Sequence, residues 1–293
     1  MTIKSKCAEY IVTSVKHVCE ALLNDEQKIF LYSCIHDTFN PNKEIVVITQ
    51  KLGKDITFYC PTVLLAWLAK TLLTKEPETI EWIDGFEKDS ILWDIGANIG
   101  CYSLYAGMNG IRTYAFEPQS ANYYILNQNI KHNKLDKIVS AYCVALSKEN
   151  SLATMNLSSL EFGDAFNLFG SPTDRFESAG SQYAVDFQQG MIGFSIDQFI
   201  EQYAVEVPNY IKIDVDGIED KIISGARKTL SHPGLRSVLV ELDENDSKMV
   251  HYVSEFLSEY DFYLASKRHS EIVENGPWKH IYNYIFFKKN DQM

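Results

Sequence analysis

The chain has 293 residues, 46% of them hydrophobic and 23% charged, with a formal charge of −12 at pH 7. That composition is globular, and the acidic balance argues against a nucleic-acid partner, which would draw on clustered Lys and Arg; no run of those residues exceeds a pair. The six cysteines, at 7, 19, 34, 60, 101 and 143, include no CxxC pair and imply neither a zinc site nor a disulfide framework.

In chain order, residues 7–38 read as two helices. Ile11, Val15, Val18 and Leu22 recur at helical steps, and Asn24 with Asp25 offers a stop and a new cap. Lys16 and His17 interrupt the apolar residues of this segment, so it lacks a signal-peptide core. No stretch approaches the roughly 20 apolar residues of a membrane span, and the expectation is a cytoplasmic protein. Glu44–Gln50 and Ile56–Cys60 read as a hairpin around Gly53. Pro61 and Thr62 open a helix, and Pro77 suits the first turn of another, PETIEWID. Residues 1–75 therefore form an expected helical and hairpin annex, and 76–293 the main domain.

From Ile91 the pattern becomes a regular alternation. Ile91–Ile95 is an apolar strand that breaks into the turn Asp94-Ile95-Gly96-Ala97-Asn98-Ile99-Gly100, followed by a helix. Arg112–Pro118 is a second strand ending in Glu117, with a helix over Ala121–Asn133 and a third strand over Ile138–Leu146. Residues 147–195 lose the pattern, punctuated by six glycine and proline positions, and read as a lid-like insertion or a partly disordered segment. Tyr210–Gly217, Ser237–Asp243, Phe262–Ser266 and Tyr282–Lys288 complete seven strands, the last of them a candidate antiparallel edge. The fold class is α/β: a doubly wound, mostly parallel seven-stranded sheet.

Ligands of such sheets bind at strand ends beside a glycine turn. A carboxylate at the tip of the second strand suits a ribose diol, but GxGxxG is missing and the first strand delivers Asp94 into the turn. An anion there would repel a pyrophosphate and suits an ammonium and a sulfonium, as in S-adenosylmethionine. Strand alternation puts Lys212, Asp214 and Asp216 on one face of the fourth strand, and Glu241 and Asp243 extend an acidic rim from the fifth. The bland readings are a Lys212–Asp214 pair and a helix-capping Asp216.

DIGANIGCYSLYA, the FEP tip, ALS after the third strand, KIDVDGIE with Gly225-Ala226, and VELDE resemble the FkbM family of S-adenosylmethionine-dependent class I methyltransferases, over roughly residues 76–289. The resemblance implies a Rossmann-like fold and a cofactor site of Asp94, Gly96, Ala97, Asn98, Gly100, Glu117, Pro118, Ala145 and Leu146. In it, Asp94 would lie near the methionine ammonium, Glu117 on the ribose, and Ala145 and Leu146 beside the adenine. It also implies O-methylation of a small-molecule or sugar acceptor. Asp216 stands where the family usually has glutamate. Methyl transfer to a hydroxyl calls for a base; Asp214, Asp216 and Glu241 are the catalytic candidates, with His269 and His280 as rivals. The same carboxylates could equally hold Mg²⁺. The alternatives are an NAD-dependent enzyme and a non-catalytic S-adenosylmethionine-binding scaffold.

Overall fold

The computed structural model describes residues 3–24, 27–28, 31, 44–49, 53–165, 167–170, 185–274, 276 and 278–289. The chain divides into two compact units, Met1–Lys43 and Glu44–Met293. In the first, helix α1 (Ile3–Leu22) is followed by Asn24 and Gln27, each side chain accepting the other's backbone N–H. The rest of the second helix expected before residue 38 lies largely outside the described residues.

The larger unit begins with the hairpin, strands β1 (Glu44–Thr49) and β2 (Lys54–Tyr59), so it includes a segment that the sequence assigned to a 1–75 annex. Two helices follow: α2 (Val63–Lys70), capped by the Thr62 hydroxyl, and α3 (Pro77–Asp84), with proline in its first turn. The alternating core is then β3 (Ile91–Ile95), α4 (Cys101–Met108), β4 (Arg112–Phe116), α5 (Ser120–His132) and β5 (Val139–Tyr142). The expected third strand is broken at Cys143–Val144, and its last residues, β6 (Ala145–Leu146), join a different sheet.

The stretch read as a lid or as partly disordered carries regular structure: β7 (Ser151–Leu157), β8 (Leu168–Phe169) and β9 (Phe187–Phe194) complete a four-stranded sheet of order β6-β9-β7-β8. Met155, Leu157, Phe169 and Phe194 from it pack into one core with Trp93, Phe116 and Ile213. Residues 166 and 171–184 of this stretch lie outside the described residues. The remaining elements are α6 (Ile196–Tyr203), β10 (Tyr210–Ile213), α7 (Glu219–Ser224), α8 (Arg227–Ser231), β11 (Ser237–Asp243), α9 (Ser247–Ser258), β12 (Phe262–Arg268), α10 (Glu271–Glu274) and β13 (Ile281–Lys288).

The main sheet has seven strands in the order β12-β13-β11-β10-β3-β4-β5. Strands β11, β10, β3, β4 and β5 are parallel, and β13 runs antiparallel between β11 and β12. The antiparallel strand is thus one position in from the edge, not the edge itself. Its reversed direction brings Asn283, near its start, opposite Glu241 near the end of β11. Alternate residues of β3 feed two separate cores, Ile91, Trp93 and Ile95 on one face and Leu92 on the other. Apolar cover on both faces is what a doubly wound sheet requires.

Helix α5 holds the hairpin to this body through two asparagines. Asn129 accepts the Tyr59 N–H at 2.7 Å and donates to the Ile99 carbonyl at 2.8 Å, while Asn133 accepts from and donates to the backbone of Thr57. Asn129 is fully buried, so Asn129→Ala orphans two backbone groups at once. It is expected to destabilise the fold by about 2–6 kcal/mol, at about 1–3 kcal/mol for each buried unpaired group. Urea unfolding followed by tryptophan fluorescence measures that loss, and an unchanged midpoint would mean that the hairpin contributes nothing to the body.

Candidate active site

A cavity of about 540 Å³ runs along the carboxyl ends of the parallel strands. One end is framed by the glycine turn. Gly96 adopts φ +83°, where a side chain is strained, and a Cβ there would lie 1.8 Å from the Asp214 carbonyl oxygen. Only glycine lets the turn pass this close to the end of β10. The N–H groups of Gly96 and Ala97 both donate to the Phe116 carbonyl, which ties the turn to the tip of β4.

Glu117 follows that tip and is buried. Its Oε2 accepts the Asn98 N–H at 2.7 Å and its Oε1 the Gln119 N–H at 2.8 Å. Burial pushes its pKa up to about 8, partly offset by those two hydrogen bonds. Pro118, Val144, Ala145 and Leu146 continue this end of the wall. The roof is the segment around Gly163–Asn167. Asn122 accepts the Gly163 N–H at 2.6 Å and donates to the Asp164 carbonyl at 3.0 Å, and the Asp216 carboxylate accepts the Asn167 N–H at 2.9 Å.

At the middle of the cavity lies a charged cluster. The Lys212 ammonium, 1% exposed, donates to Asp214 at 2.6 Å and sits 4.9 Å from the centre of the Tyr102 ring. Burial pulls its pKa down, but the carboxylates of Asp214, Asp94 and Glu76 outweigh that and hold it above the usual lysine value. Burial likewise pushes Asp214 up, yet Lys212 and Lys75 overcome it and keep this carboxyl below its ordinary range. Glu241 has the opposite fate: burial, then the charges of Asp214 and Glu76, drive it well above the carboxylate range. The pKa values of neighbouring carboxyl groups are thereby pushed in opposite directions.

Most of the residues expected at the cofactor site line the cavity: Gly96, Ala97, Asn98, Glu117, Pro118, Ala145 and Leu146. Asp94 and Gly100 do not. Asp94 is 1% exposed and directed behind the turn, where its Oδ2 accepts the Ser103 hydroxyl at 2.5 Å. Gly100, at φ +87°, opens α4 and packs under Leu126. Asp214, Asp216 and Glu241 all line the cavity, and so does His269, but His280 does not. Strand β10 ends at Ile213, so the alternation expected through residue 216 stops early. Lys212 and Asp214 meet, whereas Asp216 turns to the roof.

The sequence reading missed Lys75, Glu76 and Glu78 on the approach to α3, as well as Tyr102, Asn122, Asn167, Ser270 and Asn283. Glu78 carried a usable signal: it lies one helical turn before the buried Trp82, so it shares that apolar stripe, where a carboxylate needs a reason to be. Glu76, Asp214 and Glu241 present oxygens within 4.8 Å of one another, a hard-oxygen set of the kind Mg²⁺ uses. Two ammonium groups already serve that cluster, Lys75 on Glu76 at 2.8 Å and Lys212 on Asp214 at 2.6 Å. The donor set therefore does not fit a divalent ion, and no step is derived through one. Among the described residues the cavity wall carries seven carboxyl groups, Glu76, Glu78, Glu117, Asp164, Asp214, Asp216 and Glu241, against the two lysines. Such a wall favours a cationic small molecule over a pyrophosphate.

Residues 94–264, more than half of the chain, match the family described as the methyltransferase FkbM domain. The hexuronic acid methyltransferase AglP of Haloferax volcanii is 23% identical over 196 residues, which cover 67% of this chain and 74% of that protein. Among solved structures, methyltransferase FkbM from Methylobacillus flagellatus KT aligns with a TM-score of 0.47 at 16% identity. That alignment covers 69% of this chain and 44% of the Methylobacillus chain, so the present chain matches less than half of that protein's length. P. horikoshii TYW2 in complex with MeSAdo aligns with a TM-score of 0.44 at 12% identity, over 84% of this chain and 72% of that one. No helix among the described residues is long and apolar enough to cross a membrane. With its family match running from the end of β3 into β12, through the strand ends that frame the cavity, the chain belongs to the FkbM methyltransferase family and is a methyltransferase.

Proposed function

We propose that the chain uses S-adenosylmethionine to methylate a hydroxyl oxygen of a carbohydrate-type acceptor. The observation that carries this reading is that one cavity joins the glycine turn and Glu117 to the Lys212–Asp214–Glu241 cluster. The donor set fits the cofactor. Glu117 keeps lone pairs free to accept ribose hydroxyls beyond its two backbone N–H bonds, Val144, Ala145 and Leu146 offer an apolar flank to adenine, and the acidic wall suits a cation. The sugar class is drawn from the acceptor named for the Haloferax relative.

When bound, the sulfonium supplies an electrophilic methyl group. The chain's own residues must then orient the acceptor hydroxyl and take its proton as the new O–C bond forms. Asp214 is kept ionised by Lys212 and Lys75, so at neutral pH it is in the form that accepts a proton. Protonated Glu241 hydrogen-bonds to it and fixes its orientation. Transfer makes one O–CH₃ bond and breaks one S–CH₃ bond, and the hydroxyl proton passes to Asp214. Asp216 takes the roof-fastening role instead, and Asp94 acts from behind the turn.

Two outcomes are expected. Calorimetry should find binding of S-adenosylhomocysteine, and Asp214→Asn should lower turnover by roughly two to four orders of magnitude, the usual worth of a positioned base, with that binding retained. Heat from NAD and none from S-adenosylhomocysteine would overturn the cofactor assignment. The second outcome concerns Glu117, whose pKa of about 8 stands against an ordinary 4.5. Between those values the unfolded chain gives up this proton before the folded one, so the ligand-free protein loses stability as pH rises from 4.5 to 8. Glu117→Gln should flatten that slope in thermal melts taken across the window; an identical slope would show that the carboxyl does not titrate there.

A further inference from the structure

Beyond the charged cluster the cavity ends in a pocket that the reaction above does not use. Glu78, Ser270 and Asn283 line it and are respectively 1%, 4% and 3% exposed. Each carries a buried polar atom with no hydrogen-bond partner among the described residues: Glu78 Oε2, Ser270 Oγ and Asn283 Oδ1. Native proteins seldom leave such atoms unpaired, and three gathered at this end of the cavity, apart from Asn167 Oδ1 in the roof, point to a ligand. The Asn283 amide is oriented by its neighbours. Its Nδ2 donates to Glu78 Oε1 at 2.8 Å and to Glu76 Oε2 at 3.4 Å, so its oxygen is the atom left over.

The position follows from the sheet. Glu117, Asp214, Glu241 and Asn283 belong to β4, β10, β11 and β13 or their ends, in the row β4-β3-β10-β11-β13, whose neighbours lie about 4.8 Å apart. Asn283 pairs in register with Glu241, and Ser270 follows the end of β12, the next strand out. The pocket therefore begins two strands beyond the proposed base, past Glu241 and on the side opposite Glu117. Trp278 and Ile272 add an apolar surface to its wall, of the kind that covers the C–H face of a sugar ring.

We propose that this pocket is the acceptor subsite and that it selects a neutral pyranoside over a hexuronic acid; the inference rests on the methyltransferase reading given above. Glu78 Oε2 and Asn283 Oδ1 can only accept hydrogen bonds, and Ser270 Oγ can accept or donate. Hydroxyl groups of a ring bring the missing donors. A uronate keeps the ring hydroxyls but carries at C6 a carboxylate, an added anion whose oxygens only accept, beside Glu78 and Glu76, while both cavity lysines are already held by carboxylates. A site that leaves its own polar groups unmatched rejects a ligand strongly.

The test is saturation-transfer NMR on the full chain loaded with S-adenosylhomocysteine. It is titrated with methyl glucoside, methyl galactoside and methyl mannoside, and separately with methyl glucuronide. At least one neutral glycoside is expected to bind tighter than the glucuronide by roughly tenfold or more, the worth of one buried hydrogen bond. Ser270→Ala should weaken that glycoside by a similar factor. Glu78→Gln should weaken it and also narrow the preference over the glucuronide, a change in charge selectivity that a purely structural role would not produce. Uptake of S-adenosylhomocysteine reports that each variant is folded; if Glu78→Gln is not, the wild-type preference and Ser270→Ala still decide. Glucuronide binding as tight as the neutral sugars, no neutral glycoside bound by the loaded protein, or full glycoside affinity in the folded variants would each overturn the subsite. Failure of the wild type to take up S-adenosylhomocysteine would instead overturn the methyltransferase cofactor reading on which it rests.

Discussion

The site is built around one buried ammonium. Taking Lys212 out of water costs several kcal/mol unless opposite charge surrounds it, and much of the local architecture supplies that charge. Asp94 lies beside it in register on β3, Asp214 follows it off the end of β10, Glu76 arrives from the start of α3, and the Tyr102 ring from α4 covers it. Four elements that meet nowhere else in sequence are thus held to a common point. The same demand pushes the neighbouring carboxyls in opposite directions: the lysines hold Asp214 below its ordinary range against the effect of burial, while burial and then the charges of Asp214 and Glu76 drive Glu241 up.

From this centre the cavity divides by chemistry. Toward β4 the wall sets apolar Phe116, Val144, Ala145 and Leu146 beside Asn98 and Glu117, whose carboxyl is engaged by backbone N–H groups and so fixed in direction. Toward β13 it is polar, and its side chains are only partly satisfied. The antiparallel insertion of β13 makes that second half. A parallel strand in the same place would bring its carboxyl end to this edge; the reversed strand brings its beginning, and with it Asn283, against Glu241. The roof over both halves is fastened by short polar side chains. Asp216, one methylene shorter than the glutamate usual at its position, is long enough to take the Asn167 N–H.

Much of this was legible in the sequence because parallel strands covered on both faces read as apolar runs with turn residues at their ends. The β3 turn and Glu117 could be found that way, and so could the strand pattern of the main sheet. What escaped notice did so for identifiable reasons. Glycines in β9 were read as loop punctuation, yet a Cβ at Gly193 would lie 2.5 Å from the Phe169 ring, so that glycine makes room for packing inside a strand. Residues 138–146 are apolar apart from Ser140 and do not reveal that the chain leaves one sheet for another after Tyr142. Strand order is equally invisible to periodicity, which is why β13 looked like an edge. Glu76 and Glu78 fell in a segment read only for its helix start, and nothing local indicates that they face the end of a strand more than 130 positions later.

Asp94 illustrates how a correctly located residue can do a different job from the one its motif suggests. An aspartate at a strand end, followed by a glycine turn, invites the picture of a carboxylate facing the ligand. Here Asp94 shares a face with Leu92 and with its register partner Lys212, is buried, and is not among the residues that line the cavity. Its Oδ2 receives the Ser103 hydroxyl and so ties the end of β3 to the first turn of α4, holding the Gly96–Ile99 arch from beneath. Burial raises its pKa, and the nearby Lys212 ammonium pulls the other way. The motif's acid therefore helps to neutralise the lysine that keeps Asp214 ionised.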